Sequence, residues 1–411
     1  MFVVNRSVKV CILLALLSTV VGCGSLRNGS NPSVGTAPPQ PVTGGPAPTP
    51  SPSPSPNTPS STPAPIFAFW YQHWIPSTTP AELKPAEVVI GISPSAIAEV
   101  HATGKRVLQY QSYYQSKPNT ILLKDSADLS NVGFEINHKF LLNVFGDPDS
   151  YVMCPNSVTF HARVHQLVQL ALDEGYDGLM VDNTFFNPPA HQICDAAHAH
   201  LDPTAQGGRA FLTLLSEVRQ MLRARNPNAL LITNPGSPIW ADMIATGSPT
   251  LWDLSDYVVW ESYGYTAHTD SRHDGWDLAI SRSYDLAATP SKAAKVLTLS
   301  YVLNATEAQY AFAVARFFGL SWTSNIGATP FGTYFNKIPF DLGEPVGSLP
   351  PLSPVLQRQF THGEVFINTS VSAQTVNVPI GTMYLAGNKS EVTIPSQVAL
   401  SPRTAAIVIS H

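Results

Sequence analysis

Two separate stretches of this chain share one construction. Gly175-Tyr-Asp-Gly-Leu-Met-Val-Asp-Asn183 and Asp256-Tyr-Val-Val-Trp-Glu-Ser-Tyr263 each pass through a few apolar residues and stop at a carboxylate, Asp182 in the first and Glu261 in the second. A strand that is apolar at every position belongs inside a parallel sheet covered on both faces. A buried charge without partners is costly, so packing does not account for either acid. Apolar runs of the same kind fall at 66–70, 87–92, 106–111, 178–182, 229–233, 257–261, 295–300 and 320–323. Eight is the number that closes a (β/α)8 barrel.

Amphipathic stretches separate these runs. Phe160, Val164, Leu167, Val168 and Ala171 recur at helical spacing, as do Phe211, Leu214, Leu215, Val218 and Leu222 before the stop at Asn226-Pro227. A third helix begins at Thr306, turns Tyr310, Val314, Phe317 and Phe318 inward, and ends at Gly319. The segment 118–145 is the least regular, and its Phe140-Leu-Leu-Asn-Val could replace one of the eight strands. A doubly wound sheet has the same alternation. No Gly-x-Gly-x-x-Gly or Walker-type loop follows any of the runs, which favours the barrel. From about residue 355 five short strand-like runs with turns between them give a small all-β domain, read as β-sandwich-like over 355–411. It either seals the barrel or binds carbohydrate, and Tyr384 is its best aromatic for the second role.

The amino-terminal end concerns location. Arg6 and Lys9 precede the apolar run 10–21, followed by Gly22-Cys23. This is the pattern of a signal peptide over 1–22 rather than a membrane span. Val20-Val21-Gly22-Cys23 resembles a bacterial lipobox, with Cys23 as the lipidated residue. A Pro-, Ser- and Thr-rich segment at 23–65 has too little apolar surface to fold and reads as a tether. Gly24 after the cysteine favours an outer membrane if the cell is Gram-negative. The barrel then occupies 66–354, outside the cytoplasm and attached to a membrane only by its acyl chains. The chain carries 23 basic and 28 acidic residues and has no basic cluster, which argues against nucleic acid as a partner. Of the remaining cysteines, Cys154 and Cys194 form a disulfide or stay as two thiols.

Chemistry in such barrels gathers at the carboxyl ends of the strands. Those ends offer Trp70, Tyr71 and His73; Tyr110, Gln111 and Tyr113; Asp182 and Asn183; Asn234; Glu261 and Tyr263; Tyr301; and Trp322. Aromatic faces stack on sugar rings, and amides and phenols bond hydroxyls. Two carboxyl groups are what glycoside hydrolysis requires, one to protonate the leaving oxygen and one to attack carbon or activate water. Asp177 closes the turn at the bottom of its strand. His191, Cys194, Asp195, His198 and His200 could be drawn as a zinc site. However, His198-x-His200 is neither a helical pair nor a finger spacing, so the loop is read as polar active-site structure with no metal and no cofactor.

At these residues the chain resembles glycoside hydrolases related to family 114, the endo-α-1,4-polygalactosaminidase-like barrels, and the hypothetical glycosyl hydrolase family 15 group. The likeness lies in G-Y-D-G-x-x-x-D-N at 175–183, the strand ending in Glu261, Gly104-Lys-Arg-Val-Leu-Gln-Tyr110, and Phe360-x-x-Gly363-x-Val365-x-x-Asn368. It implies Asp182 and Glu261 as a catalytic pair. Of the first-strand tryptophan signature of the polygalactosaminidases only Phe69-Trp-Tyr is present, so their aminosugar substrate does not carry over. The expectation is a monomeric surface lipoprotein that hydrolyses a polysaccharide. Its rival is an inactive barrel that holds glycans.

Overall fold

The structure is a computed structural model, and it describes residues 68–70, 86–142, 150–184, 189–264, 275–302, 304–325 and 338–411. Eight parallel strands form one curled sheet: β1 (Ala68–Trp70), β2 (Val88–Ile90), β3 (Arg106–Ser112), β4 (Gly178–Asp182), β5 (Leu230–Thr233), β6 (Tyr257–Trp260), β7 (Val296–Tyr301) and β8 (Ser321–Asn325). They lie side by side in sequence order, and β1 also lies next to β8. Helices flank the sheet, an arrangement that fits an α/β barrel. The principal ones are α1 (Ile97–His101), α2 (Val158–Asp173), α3 (Gly207–Arg225), α4 (Trp276–Ala287) and α5 (Ala305–Phe318).

Local signals place these helices where their periodicity does. Ser157 caps α2 by accepting from the Phe160 amide. Asn304 does the same for α5 through Glu307, and Gly319 ends that helix in the left-handed conformation. The segment 118–142 contributes no strand to the sheet. Its Lys139–Phe140 pairs instead with Glu135–Ile136 in a short hairpin.

Side chains alternate across each strand, so the sheet has two cores. Val88, Ile90, Leu108, Met180, Leu230, Ile232, Tyr257, Val259, Leu297 and Leu299 pack together on the inner face, with Tyr110 and Tyr301 against them. Val107, Leu179, Val181, Leu231, Val258 and Trp260 point the other way, to the helices. At the amino ends of the strands two aspartates fasten backbone. Asp177 accepts from the Val107 amide (2.8 Å) and from His101 (2.7 Å). Asp256 accepts from Leu231 (2.8 Å) and from Arg223 (2.7 Å).

Gly178 shows why the G-Y-D-G turn ends in glycine. Its φ is +155°, and a Cβ there would lie 2.1 Å from the Leu230 carbonyl oxygen. Gly178→Ala is therefore expected to push β4 off β5 and to cost about 3 kcal/mol or more. A fall in the urea midpoint checks this, and an unchanged midpoint would refute it.

Residues 355–409 form antiparallel strands: β9 (Val355–Phe360), β10 (Gly363–Asn368), β11 (Gln374–Val378), β12 (Gly381–Leu385), β13 (Asn388–Val392), β14 (Ser396–Leu400) and β15 (Ala405–Ile409). Five make a sheet in the order β9-β10-β15-β12-β13, and β11 pairs with β14. Seven strands stand where the sequence shows five strand-like runs. Leu356, Phe360, Val365, Ile367, Ala405 and Ile407 belong to the same apolar core as the helices around the large sheet. Gln309 of α5, buried, crosses between the two. Its amide nitrogen donates to the carbonyls of Tyr384 and Ala405, and its oxygen accepts from the Gly387 amide (2.9 Å).

Candidate active site

The inner face of the sheet carries its polar residues at the carboxyl ends of the strands. In β4, Met180 faces inward, and so two residues later does Asp182. The same phase brings Tyr110 of β3, Asn234 after β5, Glu261 after β6 and Tyr301 of β7 to one place. Their hydrogen bonds form a connected set. Asn234 Nδ2 donates to Asp182 Oδ1 (2.7 Å) and to Glu261 Oε2 (2.8 Å). Tyr110 donates to Asp182 Oδ2, and so does Asn183 Nδ2 (3.2 Å). Tyr301 donates to Glu261 Oε1 (2.6 Å).

The orientation of the Asn234 amide is fixed by its other end. Its Oδ1 accepts from the Gly236 amide (2.8 Å), so the NH2 group must face the acids. The Gly236 carbonyl in turn accepts from the Glu261 amide (2.9 Å), and the Asn234 carbonyl from Thr184 (2.9 Å). The turns after β4, β5 and β6 are thus tied to one another. Because both carboxylates bond one nitrogen, at 2.7 and 2.8 Å, their facing oxygens are at most about 5.5 Å apart.

Electrostatics separate the groups. Burial raises the Asp182 carboxyl, the charge of Glu261 raises it further, and the three donors counter this only in part, leaving it at about 6. Burial and then the charge of Glu261 push the Tyr301 phenol far above its ordinary range. Tyr301 therefore stays a hydrogen-bond donor throughout the range in which proteins are folded. Asp182 is 8 % exposed, and Glu261 is half-buried.

Several residues named from the sequence lie elsewhere. Gln111 is out of phase with Tyr110 and faces α2, where it bonds Gln109, Tyr113 and the Leu167 carbonyl. Tyr113 is fully buried in the outer core. Tyr263 is likewise fully buried, stacked edge-on between Trp260 and Trp276, and its hydroxyl bonds Ser283 of α4 (2.9 Å). Trp322 packs against Phe312 on the helix side and donates to Ser300 (3.3 Å). None of the four reaches the acids. Trp70 contributes backbone to β1, and its side chain lies outside the described residues, as do Tyr71, His73, Cys23 and the leader and tether. A cavity of about 240 Å³ beside Trp252, Trp260 and Arg282 holds neither carboxylate.

Of the two states open to them, Cys154 and Cys194 take the second and are buried free thiols. They are neighbours, but two histidine rings share their space. Cys154, Cys194, His198 and His200 form one cluster.

No family model matches the chain and no curated protein matches it. Solved structures do. The glycoside hydrolase domain of PelA from Pseudomonas aeruginosa has a TM-score of 0.44 and 17% identity, covering 66% of this chain and 97% of that one. Ega3 from Aspergillus fumigatus, in complex with galactosamine, has a TM-score of 0.37 and 15% identity, covering 60% and 81%. A GH27 β-L-arabinopyranosidase from Geobacillus stearothermophilus has a TM-score of 0.48 and 10% identity, covering 85% and 96%. The structural neighbours are glycoside hydrolases. What the pocket of this chain can do follows from its own residues.

Proposed function

We propose that the chain is an extracytoplasmic, lipid-anchored glycoside hydrolase that cleaves O-glycosidic bonds of a polysaccharide on a closed (β/α)8 barrel. Closure is supported by the eight strands in sequence order, with the first beside the last. Location is supported by the leader and the Cys23 lipobox in the sequence. The observation that carries the activity is the single amide of Asn234 between two carboxylates. A facing separation of at most about 5.5 Å suits an enzyme that retains anomeric configuration, because inversion needs room for a water between the acids.

Position divides the work. Asp182, held by Tyr110, Asn183 and Asn234 on the inner face, is the nucleophile. Glu261, on a turn and more exposed, is the acid and base. Asp182 attacks the anomeric carbon, the glycosidic C–O bond breaks, and its electron pair leaves with the oxygen, which takes the proton from Glu261. Glu261 then accepts a proton from water as that water displaces Asp182.

A panel of neutral, acidic and aminosugar polysaccharides, assayed for new reducing ends, tests this reading. Glycan binding without turnover across the panel would support a holding protein instead. The pH profile tests whether the two acids work as a pair. The reaction needs one proton on the pair, and Asp182, held at about 6 beside a charged Glu261, gives up the last one, so log(kcat/KM) is expected to fall with unit slope as pH rises above about 6. A rate that stays level above about pH 6 would separate this titration from turnover.

A further inference from the structure

The geometry points to a structural zinc site made by Cys154, Cys194, His198 and His200. One ligating atom from each of the four lies within 4.8 Å of all the others. A tetrahedral zinc with ordinary Zn–S and Zn–N bonds spaces its ligand atoms about 3.3–3.8 Å apart, so small side-chain rotations complete the shell. Two thiols and two imidazoles in a tetrahedron select zinc among the common divalent ions.

The histidines supply a second, independent observation. Nε2 of His198 and Nε2 of His200 are both buried with no hydrogen-bond partner. An unpaired buried polar atom is costly, and native structures rarely leave two side by side. The rings stand edge-on, 4.6 Å apart. Nδ1 of His198 faces the Ser130 carbonyl at 3.3 Å. A carbonyl only accepts, so Nδ1 carries the proton and Nε2 keeps its lone pair, the tautomer and support typical of a metal ligand. The Cys194 thiol lies beside both Cys154 and His198.

Backbone bonds hold the two contributing segments in place. Cys154 N donates to the Val132 carbonyl (2.7 Å), Val158 N to Ala199 (3.1 Å) and Leu201 N to Asn156 (2.9 Å). The other histidine and acid cluster differs. His161 and His165 both bond Glu217, and the second nitrogen of His161 bonds the Pro155 carbonyl. Those donors are satisfied within the protein and invite no ion.

The zinc would staple the segment 189–206, which leads from the Asp182 strand to α3, onto the excursion between β3 and α2. It takes no part in bond cleavage. Full-length protein prepared under reducing conditions and dialysed against zinc is expected to hold one zinc per chain by elemental analysis. Replacement by Co2+ is expected to give tetrahedral ligand-field bands and a thiolate-to-cobalt charge-transfer band. Chelation should lower Tm by roughly 5 °C or more. Cys194→Ser and His200→Ala should lose the stoichiometric metal, while His191→Ala, outside the cluster, should keep it. The cobalt spectrum of the unaltered chain decides the matter even if a variant fails to fold. Reduced protein that binds no metal, a cobalt complex without the charge-transfer band, or protein isolated without reductant that carries a Cys154–Cys194 disulfide would each overturn the site.

Discussion

Asp182→Gly is expected to lower turnover of the responsive polysaccharide by about a thousand-fold or more, and Glu261→Ala by a comparable factor. The two losses should differ in kind. Azide added to Asp182→Gly can occupy the space of the missing carboxylate and attack carbon directly, giving a glycosyl azide of inverted configuration. In Glu261→Ala the nucleophile remains, so a substrate whose leaving group needs no proton still forms the glycosyl intermediate. Azide then traps that intermediate with retained configuration. Product configuration by NMR reads the difference. Folded variants that keep full turnover would remove these residues from the site, and azide products of the opposite pattern would exchange their roles. Tyr301→Phe serves as a milder control, because it takes from Glu261 one donor and leaves the Asn234 bond in place.

The second large effect lies far from the acids. Gln309→Leu would fill the space of a buried side chain but strip partners from the carbonyls of Tyr384 and Ala405 and from the amide of Gly387. Each unsatisfied buried group costs about 1–3 kcal/mol, so a loss of about 3 kcal/mol or more is expected. The urea midpoint should fall with an unchanged denaturant slope, since the antiparallel strands and α5 share one core and should unfold together. Removing residues 355–411 should be worse still, giving aggregated protein because the buried face of α5 is uncovered. A shift under about 0.5 kcal/mol for Gln309→Leu, or a soluble and cooperatively folding 60–354 fragment, would show that the two parts are independent.

Much of this architecture was legible because each local signal concerned neighbours in sequence. The spacing in α2 and α3 and the stop at Gly319 place the helices, while the Asn304 cap came only with the structure. Asp182 and Glu261 stood out because an acid ends an apolar run. Gln111 and Trp322 were misplaced by reading strand ends without strand phase. Tyr110 faces inward, so its neighbour Gln111 faces out, and Trp322 shares the outward phase of Leu320. Tyr263 stands on the turn after β6, where no alternation applies. The thiol and imidazole cluster was the hardest to foresee. Cys154 precedes α2, while its three companions follow β4, and only the folded backbone brings them together. His198 and His200 bring their rings edge-on, 4.6 Å apart, at a bend in the chain.

The amide of Asn234 has a consequence for how this pocket responds to change. It carries no charge at any ordinary pH, so the gap between the acids is bridged by one neutral nitrogen and its two hydrogen bonds. On the retaining reading, stereochemical outcome is therefore written in a residue that neither attacks the sugar nor moves a proton. Asn234→Gln would carry that nitrogen away from its place between the carboxylates while both remained intact.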